Sequence, residues 1–83
     1  MEHWSDKAPF TEELKARIRS GSAKEFWVIV EVGYSRYWPE YQRMVGWLCP
    51  TKFSALATEI SLARMAGDKN IVKVELDPKR HFR

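Results

Sequence analysis

The clearest strand pattern runs from Phe26 to Tyr34, where the even positions Phe26, Val28, Val30, Val32 and Tyr34 are all apolar and the odd set is Trp27, Ile29, Glu31 and Gly33. A period of two places the even set on one face of a β-strand, and the β-branched and aromatic content fits a pleated surface. The even face is predicted to look into the core. Trp27 and Ile29 then share the reverse face and need a cover of their own. A second strand is predicted over 41–49, with Met44 and Leu48 on one face and Val45, Trp47 and Cys49 on the other. Pro39 cannot donate to a ladder and marks the loop side of this strand pair. A third strand, 71–76, points Val72, Val74 and Leu76 inward and Lys73 and Glu75 to water.

Two segments carry helical spacing. Phe10, Leu14 and Ile18 recur every four residues over 10–20, with Thr11 as N-cap, Glu12 and Glu13 at the positive end of the dipole and Gly21 as stop. From Lys52 or Phe53 to Ala66, Phe53, Leu56, Ala57, Ile60 and Ala63 share one face, Pro50 ends the preceding strand and Gly67 follows. Leu62 and Met65 fall on the opposite side of that helix. They either pack under the first helix or form an exposed apolar patch. The predicted fold is α+β, in the order α-β-β-α-β. It has a three-stranded mixed sheet with an antiparallel hairpin, the last strand parallel to a neighbour through a right-handed crossover, and the main helix packed on one face. The first helix either shares that face or covers Trp27 and Ile29.

Eighty-three residues are read as a single domain, 1–83, with a flexible lead-in over 1–8 and a small basic tail over 79–83. A content of 45% hydrophobic and 30% charged residues argues against disorder. The apolar runs are too short to span a membrane, the first residues lack the pattern of a signal peptide, and Cys49 is the only cysteine. These features together predict a cytoplasmic protein.

The search for reaction chemistry finds little. His3 and His81 lie near the ends of the chain, where a general base is poorly held. Cys49 is read as a buried structural thiol rather than a nucleophile, and Glu31, Glu40 and Asp77 do not form a catalytic pair. One Cys and two His cannot close a zinc shell, and the glycines at 21, 33, 46 and 67 are isolated from any phosphate-loop pattern. The prediction is therefore no enzyme, no cofactor and no metal site.

Eight of the eleven aromatic residues lie between Phe26 and Phe53, and the densest run, Tyr34 to Tyr41, falls between the first two strands. Aromatic and arginine side chains dominate binding hot spots. Tyr34, Arg36, Tyr37, Trp38, Tyr41 and Arg43 are the predicted partner-binding residues, on a hairpin loop. Trp27, Ile29, Trp47, Leu62 and Met65 form a second predicted patch, for a homodimer contact or a partner. These features predict a non-catalytic protein-interaction module, an inhibitor or adaptor. In size and layout alone it resembles the small inhibitors encoded by phages and mobile elements, anti-CRISPR proteins among them. The alternative is a nucleic-acid binder that uses the same aromatics, Arg36, Arg43 and the basic tail. A net charge of +3 is mildly basic, and no RNP-type motif or GXXG loop is present.

Overall fold

The computed structural model describes residues 9–21 and 24–78. Its elements are α1 (Glu12–Ser20), β1 (Glu25–Val32), β2 (Met44–Cys49), β3 (Lys52–Thr58), α2 (Glu59–Ala66) and β4 (Ile71–Leu76). The strands form one sheet in the order β2-β3-β1-β4, and every neighbouring pair is antiparallel. The α+β class agrees with the sequence reading. The three-stranded mixed sheet, the β1–β2 hairpin and the parallel last strand do not. The predicted lead-in over 1–8, the basic tail over 79–83, His3 and His81 lie outside the described residues.

The source of the difference is residues 52–58. They were expected to open a long helix and instead form β3, the strand inserted between β1 and β2. Phe53, Ala55 and Ala57 alternate as well as they repeat helically, and all three are fully buried opposite Val30, Val28 and Phe26 of β1. Pro50 does end β2, but Pro50 and Thr51 then form a two-residue connection into β3, with Cys49 paired to Lys52. The hairpin of this fold is therefore β2–β3.

The helix starts at Glu59, six or seven residues later than expected. Thr58 caps it reciprocally with Ser61: the Ser61 backbone N–H donates to Thr58 Oγ1 at 3.2 Å, and the Thr58 N–H donates to Ser61 Oγ at 2.9 Å. With that start, Ser61, Leu62 and Met65 face the core, and Ile60 is 75% exposed. Leu62 and Met65, predicted as a partner or dimer patch, are instead fully buried in the core.

Both helices cover the same face of the sheet. Phe26, Val28, Val30 and Val32 of β1 join Phe53, Ala55, Ala57, Ile71, Val74 and Leu76 in one cluster with Leu14 and Ile18 of α1 and Leu62 and Met65 of α2. The small Ala55 and Ala57 let helices approach the sheet closely. At α1, Thr11 accepts the Leu14 N–H at 3.4 Å, and Gly21 stops the helix at φ 65°, a left-handed value that suits glycine. Just before it, Phe10 bridges to Val74 in parallel, with Thr11 N–H donating to Val74 O at 3.1 Å. This stitches α1 to the β4 edge. Val72 departs from its predicted inward position: the register skips it between the Glu31–Lys73 and Val32–Ile71 pairs, and it is 53% exposed while Ile71 is buried.

The reverse face carries Trp27, Ile29 and Leu56, all partly buried, among Glu31, Lys52, Lys73 and Glu75. No helix covers it among the described residues.

Candidate functional site

Because β1 and β2 each run antiparallel to the intervening β3, they run parallel to one another. The aromatic segment 33–43 is therefore a crossover, not a hairpin loop. Tyr37 and Tyr41 pack against the buried cluster, so the segment runs on the core side, beside the end of α2. Backbone bonds fix its first part: Gly33 N–H donates to Asn70 O at 2.8 Å, and Arg36 N–H donates to Pro50 O at 2.6 Å. Arg36 has φ 63°, left-handed for a residue with a Cβ. Such a conformation costs roughly 1–2 kcal/mol, and the bond to Pro50 holds it in place.

The second part is held by side chains. Tyr37 and Tyr41 hydroxyls both donate to Asp68 Oδ2, at 2.6 and 2.9 Å, while Asp68 Oδ1 accepts the Asn70 N–H at 2.9 Å. Asp68 thus ties the crossover to the turn between α2 and β4. Burial works to raise its pKa, but the bonds from Tyr37, Asn70 and Tyr41 outweigh burial and hold it below the usual carboxylate value. The tyrosines move the other way. Hydrogen bonding to Asp68, then burial, raises Tyr37; burial, then the Asp68 bond, raises Tyr41 further. Pro39 and Gln42 are buried, and Gln42 Nε2 donates to Arg43 O at 2.6 Å and to Leu56 O at 3.0 Å. Leu56 lies one residue past the Met44–Ala55 pair, so the Gln42 amide continues the ladder where β2 has not yet begun. Gln42 Oε1 is buried without a hydrogen-bond partner.

Held this way, the segment presents rather than hides its remaining rings. Tyr34 is 53% and Trp38 50% exposed, the Trp38 indole N–H donating to Gln42 O at 2.6 Å. Tyr34, predicted to face the core, lies beyond the end of β1, with its ring tilted against Tyr37 at 5.1 Å. Arg36 and Arg43 are exposed, and the Arg36 guanidinium lies 5.5 Å from the Trp47 ring centroid. Of the six predicted binding residues, Tyr34, Arg36, Trp38 and Arg43 thus face solvent, while Tyr37 and Tyr41 act mainly as anchors.

The second predicted patch is not one surface. Trp27 and Ile29 lie on the reverse face of the sheet. Trp47 lies on the core side, opposite Phe53 and in edge contact with it at 5.4 Å. Leu62 and Met65 are interior. Cys49, expected to be buried, is exposed at the end of β2, where the backbone and side chain of Thr51 lower its pKa. Val45 and Leu48, the residues skipped in the β2–β3 register, are 48% and 59% exposed.

Sequence reasoning missed Asp68, Gln42 and Arg64, whose guanidinium lies 6.0 Å from the Tyr41 ring centroid. For Asp68 a signal existed: Asp-Lys-Asn after a helix-stopping glycine is an Asx-turn pattern. For Gln42 there was none. Tyr37, Tyr41, Arg64, Asp68, Lys69 and Asn70 line a wide, shallow depression. Among the described residues no group of three or more His, Cys, Asp or Glu could hold a metal ion, and no helix is long and apolar enough to cross a membrane. No family model, curated protein or solved structure matches the chain.

Proposed function

We propose that this chain is a non-catalytic protein-interaction module, an inhibitor or adaptor in kind, that binds its partner through the crossover 33–43. One observation carries the reading: Tyr34 and Trp38 are half-exposed on a segment whose backbone is already fixed by Asp68, Gln42 and the Pro50 carbonyl. A pre-ordered aromatic surface loses little entropy on binding, and rigid Tyr and Trp rings are favoured contact groups. The exposed Val45 and Leu48 add apolar area on the neighbouring strand. Homodimerisation by pairing of the β2 edge is less favoured, because two register breaks within β2 interrupt the ladder it would offer.

The test is affinity capture from the native host with the wild type and a Tyr34→Ala/Trp38→Ala variant. Loss of one specific protein, with the circular dichroism spectrum unchanged, supports the reading. Equal capture by both removes the crossover as the binding surface.

Nucleic-acid binding through the same surface is the second reading. It is favoured by the exposed Arg36, Arg43, Arg64 and Lys69 around the rings, while Glu31 and Glu75 lie on the opposite side of the sheet. It requires affinity for single- or double-stranded DNA or RNA that falls steeply with salt. No fluorescence response to either at low salt would end it.

A further inference from the structure

Two guanidinium groups bracket the crossover, Arg36 over Trp47 near its start and Arg64 over Tyr41 near its end. Among the described residues neither has a carboxylate within ion-pair distance. Asp68 is close to Tyr41 but engaged by three donors, and makes no ion pair with Arg64 or Lys69. A guanidinium drawn to a ring is held by cation–π attraction and keeps N–H donors that can take a carboxylate in a two-bond fork. On the reverse face of the sheet, by contrast, charges of opposite sign adjoin: Lys73 pairs with Glu75 at 3.1 Å, and Glu31 sits across from both Lys52 and Lys73.

Resting on the protein-interaction reading, we infer that the partner presents an acidic surface whose Asp or Glu carboxylates dock on Arg36 and Arg64, with the exposed rings of Tyr34 and Trp38 adding apolar contact. Charge complementarity selects this occupant, because Arg36 and Arg43 in the crossover and Arg64 and Lys69 beside it, all exposed, outnumber Glu40 and the carboxylate of Asp68. Successive nucleic-acid bases need a run of open ring faces. Here Arg36 lies over Trp47, Arg64 over Tyr41, and Tyr34 and Tyr37 tilt against each other at 58°.

The experiment is NMR titration of the full chain, following arginine Nε–Hε and backbone signals. The probes are a glutamate-rich peptide and an oligothymidylate of equal charge, each at about 50 and about 200 mM salt. The expected result is peptide-dependent shifts centred on Arg36, Arg64 and the Trp38 indole. Arg36→Gln/Arg64→Gln should lose about tenfold or more in peptide affinity, as loss of charge-assisted bonds implies, and Arg17→Gln on α1 should lose none. If the double variant unfolds, Arg64→Gln alone and Arg36→Lys/Arg64→Lys, which keeps the charge but not the fork, carry the same comparison. Shifts spread evenly over all basic residues, or variant affinity equal to wild type, overturn the inference. Tighter binding of the oligothymidylate than of the peptide also overturns it. Capture of a protein partner that needs Tyr34 and Trp38 but is indifferent to Arg36 and Arg64 overturns the inference and leaves the protein-interaction reading standing. Loss of Tyr34/Trp38 dependence removes both.

Discussion

The reverse face of the sheet and the crossover on its other side use similar residue types, aromatic rings among Lys, Arg and acidic groups, but dispose of their charges differently. On the reverse face the strands are regular, so pairing across the sheet sets Glu31 beside Lys52 and Lys73, and Lys73 reaches Glu75. Charge is matched there by the ladder itself. The crossover has no ladder. Its order comes from two backbone bonds, to Asn70 and Pro50, and from side chains reaching distant elements, Tyr37 and Tyr41 to Asp68 and Gln42 to Leu56. Asp68 is occupied by that task, and Arg36 and Arg64 rest against rings with no carboxylate in ion-pair distance among the described residues. An irregular segment pinned from outside can thus be as ordered as a strand while leaving its surface chemistry open.

The sharpest way to break the contrast is Asp68→Ala. Three donors lose their acceptor, and the expected cost is about 2–3 kcal/mol after allowing for the part-exposed site, read from urea unfolding. A loss below about 0.5 kcal/mol would mean that the crossover is not held by this carboxylate. The same clamp should show in its pH dependence. The folded pKa of Asp68 is depressed, so its stabilisation is complete above the unfolded value of about 4 and fades as pH falls through the folded one. Tyr37 and Tyr41 are raised, so theirs is complete below about 10 and fades as pH rises through the folded values. Urea midpoints measured across pH should therefore lose this contribution at both extremes in the wild type. In Asp68→Asn the acidic limb should flatten, and an unchanged acidic limb would assign it to other carboxylates.

A smaller effect is expected at Gln42. Gln42→Leu frees the Leu56 and Arg43 carbonyls but also removes the buried Oε1 that has no partner, for a net loss of about 1 kcal/mol. Faster hydrogen exchange should follow at the start of β2, and unchanged exchange there would refute the role of Gln42 as a ladder extension. The smallest effect belongs to the reverse face. Glu75→Gln should cost less than about 0.5 kcal/mol, because the Lys73–Glu75 pair is solvent-exposed. A cost comparable to that of Asp68→Ala would erase the distinction between the two faces.

Much of the fold was legible because its signals are local. Thr11, the Phe10–Leu14–Ile18 stripe and Gly21 define α1 within a dozen positions, and the even residues of β1 as far as Val32 face the core as read. Residues 53–66 were ambiguous for a physical reason. Their alanines fit both periods, and pairing with β1, remote in sequence, decides for a strand up to Thr58. Misreading that one strand also misplaced its neighbours: it made the crossover a hairpin and set Leu62 and Met65 on the side of the helix away from its core face. The candidate site divides the same way. Its location was visible as an aromatic run. Which tyrosines anchor and which rings are presented depends on Asp68, about thirty residues further on and paired only through the fold.

The strand order has a consequence for how the surface comes into being. Both neighbours of β1 follow it in the chain, β3 and β4, and the acceptor for Tyr37 and Tyr41 follows α2. During synthesis the aromatic segment emerges before any group that fixes it, and it acquires its final shape only when the last third of the molecule has been made and docked. A fragment ending before Asp68 would keep the bonds to Pro50 and Leu56 but lose the clamp on Tyr37 and Tyr41, so the final aim of the rings is set late, with completion of the fold.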